Sequence, residues 1–82
     1  MTIGVNMFGV AQDIFGGSIA EIESNAAGSF KVSDLKSALE KQRPALKNLG
    51  SYMIAVNNEY ADDELIIREK DEVAVIPPVS GG

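Results

Sequence analysis

The sequence predicts a single α+β domain in which one main helix lies across one face of a mixed sheet of four to five strands. Three observations predict it. The segment Thr2 to Phe8 alternates apolar with small or polar residues, an amphipathic helical stretch follows Ser33, and a last run of β-formers, Val73 to Ile76, is stopped by two prolines. The 82 residues supply one small core, since a chain of this length buries only about 60 to 65% of its unfolded surface. With 45% apolar and 23% charged residues, the composition is that of an ordinary globular domain.

In the first strand Ile3, Val5 and Met7 form the inward set. Gly9, Gly16 and Gly17 bracket Val10 to Phe15, which is short for a full helix but apolar at Val10, Ala11, Ile14 and Phe15, and so predicts one packed turn. Ser18 to Ser24 is the second strand, hairpin partner of the first. Its register stays open because Ile19, Ala20 and Ile22 do not alternate cleanly, and Asn25 to Ser29 reads as a loop. The helix is expected to be capped by Ser33, with Asp34 facing the positive end of the dipole and Leu35, Ala38, Leu39 and Gln42 on the packed face. Lys36 stands where a capping box counted from Ser33 would want Glu or Gln. Pro44 ends the helix near Arg43, and Leu46 and Leu49 then sit on a second short turn closed by Gly50. Tyr52 to Val56 is strand-like, Asn57 and Asn58 suit a tight turn, and Glu59 to Tyr60 begins the return. A polar link, Asp62 to Glu64, and a short apolar run, Leu65 to Ile67, lead to the final strand.

Strand, strand, helix, strand, short turn, strand is the β-grasp order. In that arrangement the first and last strands are parallel central neighbours, so the chain leaves from the middle of the sheet. The expected organisation is a β-grasp domain over residues 1–77 followed by a flexible tail over 78–82.

Composition excludes several chemistries. Without Cys or His there is no thiolate nucleophile, no disulfide framework and neither of the usual zinc or iron-sulfur ligands, so no metal site is expected. No pair of carboxylates has a recognisable catalytic spacing, and no self-contained active site is visible. The net charge of −5 arises entirely after Leu49: residues 1–49 hold five acidic and five basic side chains, the remainder seven acidic against Arg68 and Lys70. Such a field repels phosphate backbones and anionic lipid and suits a basic protein groove, although a solvated acidic face gives the same pattern. Neither nucleic acid nor a membrane is an expected partner. With no signal-peptide pattern and no run near the roughly 20 apolar residues of a membrane span, the expected location is cytoplasmic.

Val79, Ser80, Gly81 and Gly82 follow Pro77 and Pro78 and contain nothing to anchor another element. The last two residues lack Cβ atoms, so this end is a narrow filament that can enter a tunnel too tight for side chains. Five residues after Pro77 reach at most about 17 Å. The prolines hold the base of the arm extended, which lowers the entropy lost on insertion into a partner. A terminal carboxylate becomes reactive once it is activated, for instance as a mixed anhydride with AMP. Glycines at a chain end are also found as a frayed terminus.

The string from Asp71 to Gly82, Asp-Glu-Val-Ala-Val-Ile-Pro-Pro-Val-Ser-Gly-Gly, resembles the C-terminus of the MoaD family, the ubiquitin-like small subunits of molybdopterin synthase. Weaker similarity runs through Met7-Phe8-Gly9, Val32-Ser33-Asp34-Leu35 and Val56-Asn57-Asn58-Glu59. The resemblance implies a sulfur carrier. An E1-like adenylating enzyme, using ATP and Mg²⁺, would convert the Gly82 carboxylate to an acyl-adenylate, and a sulfur donor system would replace AMP to leave a thiocarboxylate. The arm formed by Pro77, Pro78, Val79, Ser80 and Gly81 would then carry it into the large synthase subunit, within a heterotetramer, to build the dithiolene on cyclic pyranopterin monophosphate. No cofactor is bound by the carrier, and catalytic side chains belong to the partner. The family's apolar docking surface falls on Phe8, Tyr60 and Ile76, each of which alternation alone would also permit in a core. Family members usually have Gly before the Asp-Glu pair, where this chain has Glu69 and Lys70, which puts a positive charge near the docking surface.

A thiamin-pathway sulfur carrier shares the fold and the Gly-Gly end but usually lacks the Pro-Pro-Val segment. A ubiquitin-like protein modifier, forming an isopeptide bond to a substrate lysine, would use the same tail. An interaction domain without chemistry remains a third class, whereas a β-grasp electron carrier would need the missing cysteines.

Overall fold

The computed structural model describes residues 2–24 and 29–78. The elements are β1 (Thr2–Met7), α1 (Val10–Phe15), β2 (Ile19–Glu23), α2 (Val32–Gln42), a 3-10 segment (Pro44–Leu49), β3 (Met53–Val56), β4 (Glu59–Tyr60) and β5 (Val73–Ile76). The five strands form one sheet in the order β2-β1-β5-β3-β4. β5 pairs parallel with β1, Val5 opposite Val73 and Met7 opposite Val75, and antiparallel with β3. The last strand is thus central and the architecture is the β-grasp that the element order implies.

Alternation sorts the two faces. Ile3, Val5 and Met7 of β1, Ala20 and Ile22 of β2, Ile54 and Val56 of β3, and Val73 and Val75 of β5 are buried beneath Val32, Leu35 and Leu39 of α2. Pairing settles β2: Ile22 opposes Ile3 and Ala20 opposes Val5, which turns Ile19, Glu21 and Glu23 to the other face. Beyond α2, Leu46 fills the end of the core and Gly50, at φ 78, closes the 3-10 segment. Asn57 and Asn58 take φ 53 and 69, the left-handed pair that a two-residue hairpin needs between β3 and β4.

The helix starts differently from the local reading. α2 begins at Val32 with Lys31 as its N-cap residue, so Ser33 already lies inside the first turn. Asp34 Oδ2 accepts the Lys31 N–H at 3.0 Å, which makes Asp34 the reciprocal member that Lys36 cannot be. The other free amides at this end are taken from far away in sequence. Val32 N–H donates to the Leu65 carbonyl at 2.9 Å and Ser33 N–H to the Asp63 carbonyl at 3.0 Å, while Ile67 N–H returns to the Phe30 carbonyl at 2.7 Å. The link after β4 therefore caps the helix with backbone carbonyls, satisfying donors that would otherwise cost a side-chain cap. Two ion pairs fasten it, Lys31 to Glu64 at 3.0 Å and Lys36 to Asp63 at 2.8 Å.

Two smaller departures have plain causes. Gln42 is exposed at the last position of α2, where its polar amide stays in water, and Val32 joins Leu35 and Leu39 on the packed face. Val10 is exposed although apolar, since α1 seats itself through Ala11, with Ile14 and Phe15 partly buried.

Candidate functional site: the open sheet face beside the exit of β5

The face of the sheet away from α2 carries a groove of about 410 Å³ lined by Asn6, Phe8, Ala55, Asn58, Tyr60, Glu72, Ala74 and Ile76. The pairing explains its shape. One row crosses all five strands, Ile19 opposite Asn6, Asn6 opposite Ala74, Ala74 opposite Ala55 and Ala55 opposite Tyr60. Two alanines at the centre of this row make a hollow. Around it stand larger side chains: Tyr60 at one end, 69% exposed, and Phe8, 48% exposed, where β1 gives way to α1.

Continuing the parallel register one step past Met7 and Val75 brings Phe8 level with Ile76, and Ile76 in turn opposes Met53. The three side chains that the resemblance assigns to docking are therefore gathered on one groove. None belongs to the buried core: Phe8 and Tyr60 are exposed and Ile76 is half-buried. Exposed Met53 and Ile19 extend the apolar surface on either side, with Ile19 63% exposed. Sequence reasoning missed both. The signal was present for Ile19, whose failure to alternate with Ala20 and Ile22 is what an apolar residue on the solvent face of an edge strand produces.

Several of the acidic side chains after Leu49 are engaged within the domain. Asp63 and Glu64 are spent on Lys36 and Lys31, and Asp62 Oδ1 accepts the Glu64 N–H at 2.9 Å. Asp71 accepts the Arg68 N–H at 2.8 Å and the Asn57 amide at 3.1 Å, and these two hydrogen bonds, the backbone one first, hold its carboxyl below the usual value. Lys70 does not line the groove, whose charged member is Glu72. Neither Glu69 nor Lys70 has a positive φ, so the turn before β5 makes no demand for glycine.

Ile76 is followed by half-buried Pro77 and exposed Pro78, where the described chain leaves the sheet at the rim of the groove. Neither proline can donate to a ladder, so pairing stops there. Val79, Ser80, Gly81 and Gly82 lie outside the described residues. No group of three or more potential metal-ligating side chains occurs among the described residues, and no helix among them is long and apolar enough to cross a membrane.

The ThiS family model matches residues 5–82. The chain belongs to the ThiS family. Among its curated relatives, the molybdopterin synthase sulfur carrier subunit of Caenorhabditis briggsae is 32% identical over 85 residues, covering 100% of this chain and 99% of the relative. The subunit of that name from Arabidopsis thaliana is 45% identical over 40 residues, 48% of this chain and 42% of the relative. The matched stretch thus spans under half the length of that plant relative. Among solved structures, SAMP1 from Haloferax volcanii superposes with a TM-score of 0.83 at 24% identity, covering 100% of both chains, which establishes a shared fold. A chain from the complex of subunits 1 and 2 of the molybdopterin-converting factor of Helicobacter pylori gives a TM-score of 0.66 at 25% identity, again covering 100% of both chains. This ThiS-family chain is thus similar in sequence to proteins named as sulfur carrier subunits and in fold to SAMP1 and to a chain of a two-subunit complex.

Proposed function

We propose that the chain is the sulfur carrier of molybdopterin synthase. The observation that supports this most directly is the joint placement of the groove and the exit of β5: Ile76 is at once a groove residue and the last residue of the central strand. A partner covering Phe8, Tyr60 and Ile76 would receive the chain from Pro77 onward at the edge of the same contact. Docking and delivery then become one event, which suits a carrier with no catalytic side chains of its own.

In this reading the Gly82 carboxylate attacks the α-phosphorus of ATP on an E1-like enzyme, with Mg²⁺ held there, giving acyl-adenylate and pyrophosphate. A sulfur nucleophile from the donor system displaces AMP and leaves the thiocarboxylate. In the large synthase subunit the sulfur passes to cyclic pyranopterin monophosphate, and water at the acyl carbon returns the carboxylate for another cycle. The arm is residues 78–82 beyond the domain of residues 1–77, and the cytoplasm, where ATP is present, is the expected site of the cycle.

The test is the intact mass of the chain after incubation with ATP, Mg²⁺, a sulfide source and the adenylating enzyme, followed by fragmentation. The expected result is exchange of one oxygen for sulfur at Gly82. An unchanged mass, with an enzyme that thiolates a known carrier in parallel, overturns the reading, and adducts to substrate lysines would move the assignment to a protein modifier.

A further inference from the structure

Gly9 follows Phe8 and precedes α1, with φ 54 and ψ −134, a conformation open to glycine and strained for residues with a side chain. A Cβ built on it would lie 3.2 Å from Cγ of Pro77, a contact tighter than side chains ordinarily make. The parallel register accounts for this. Two steps past the pairing of Met7 with Val75, Gly9 comes level with Pro77, and the face alternation that places Phe8 and Ile76 at the groove turns the next pair to the opposite side. Pro77 cannot donate a ladder hydrogen bond, so that link between the neighbouring strands is missing at this level. Gly9 is also held from its own side. The Gln12 N–H donates to the Gly9 carbonyl at 3.0 Å, and the Gln12 side-chain amide donates to the Met7 carbonyl at 3.1 Å.

We propose that Gly9 is a positioning residue for the tail: its turn, bare of a Cβ, is the seat of the Pro77 ring, and that seat sets the direction in which the chain leaves β5. The inference rests on the sulfur-carrier reading, because direction matters only if the end of the chain must arrive at a fixed place in a partner. Pro77 is the first residue past the last strand, so in a partner tunnel that holds the arm extended a change of a few degrees there shifts its end. Five residues reach about 17 Å, and a tilt at the base becomes an ångström-scale displacement at the end. Misplacement of about 1 Å is enough to lower a rate by roughly a hundredfold.

The experiment uses the thiocarboxylate forms of the full chain, wild type, Gly9→Ala, Pro77→Ala and the double variant, with the large synthase subunit and cyclic pyranopterin monophosphate. Single-turnover sulfur transfer gives the rate at saturation separately from the concentration at half-saturation. Gly9→Ala is expected to lower the saturating rate by about 10- to 100-fold with less than about threefold change in half-saturation, since the groove that docks is untouched. Pro77→Ala removes the ring and with it the seat, so alone it is expected to slow transfer by about threefold or more, and the double variant, in which the new methyl group meets no ring, is expected to transfer at the Pro77→Ala rate, faster than Gly9→Ala. If wild-type thiocarboxylate transfers no sulfur, the sulfur-carrier reading fails. If wild type transfers and Gly9→Ala transfers equally well, the seat has no role and this proposal alone fails. A double variant slower than Pro77→Ala alone assigns the defect to backbone strain at position 9 and also overturns it. Should Gly9→Ala not fold, Pro77→Ala decides by itself: with unchanged melting temperature, a slower saturating rate supports the seat and an unchanged one refutes it.

Discussion

Asn57 and Asp71 are joined side chain to side chain, the Asn57 amide donating to Asp71 Oδ1 at 3.1 Å while Asn57 Oδ1 accepts the Glu72 N–H at 3.0 Å. The turn between β3 and β4 is thereby tied to the approach of β5. With the Arg68 N–H also donating to its carboxylate, Asp71 has a folded-state pKa below its usual 3.8. A depressed carboxylate contributes stability that is present above the unfolded pKa and lost as pH falls through the folded one. The melting temperature is therefore expected to fall as pH drops below about 4, and Asp71→Asn to flatten part of that dependence. Equal slopes for the two proteins would show that the network contributes no pH-dependent stability.

Tyr52 gives a second check on a polar contact. Its hydroxyl donates to Glu40 Oε2 at 2.6 Å, and burial first, then this bond, push its pKa well above the usual 10.0. Tyr52→Phe is expected to lower stability by about 1 kcal/mol in denaturant melts at neutral pH. The raised pKa means that this stability is present below about pH 10 and is lost as pH rises through the folded value. No loss at neutral pH would assign Tyr52 to packing alone.

Leu39 is fully buried between α2 and the sheet. Truncation to Ala leaves a cavity under the helix and is expected to cost about 2 to 5 kcal/mol, a fall in melting temperature of about 10 °C or more for a domain of this size. A near-zero effect would contradict the packing of α2.

The parts legible in the sequence were those decided by local chemistry. Ile3, Val5 and Met7 alternate because one face is buried, Asn57 and Asn58 accept positive φ, and Pro44 and Pro77 end ladders, each through a property of the residue itself. What escaped depended on residues brought in from elsewhere. α2 starts at Val32 and not after a Ser33 cap because its donors are met by the carbonyls of Asp63 and Leu65, about thirty residues on, and no local pattern carries that information. The docking face was half legible: Phe8, Tyr60 and Ile76 came from resemblance, whereas Ile19 and Met53 are seen to flank the groove only once strand order places their rows side by side. The seat of Pro77 against Gly9 likewise needed the parallel register of two strands at opposite ends of the chain.

The groove separates docking from folding. Phe8 and Tyr60 are exposed, so Phe8→Ala and Tyr60→Ala are each expected to shift stability by less than about 0.5 kcal/mol. Central, desolvated aromatic anchors carry about 2 kcal/mol or more in an interface, so titration calorimetry with the large synthase subunit is expected to show affinity weakened by about 30-fold for at least one of them. Unchanged affinity in both would move the docking surface off this face. Met53→Ala, at the flank of the apolar surface, is expected to cost less than either.

Gly82 separates chemistry from both. If its carboxylate is the reacting group, removing this one residue leaves Gly81 as the new terminus, shortened by about 3.5 Å. The groove and the core are built from residues among 2–24 and 29–78, so the melting temperature is expected to stay within about 1 °C of the full chain and the affinity for the large subunit to change less than tenfold. Sulfur transfer, by contrast, should be lost, because a carboxyl group held one residue short of an activating centre does not reach the α-phosphorus. Thermal melts, calorimetry and intact mass on one preparation give the three readings together. Loss of all three would mean that Gly82 supports the fold, and retention of sulfur transfer would place the reacting carboxylate elsewhere.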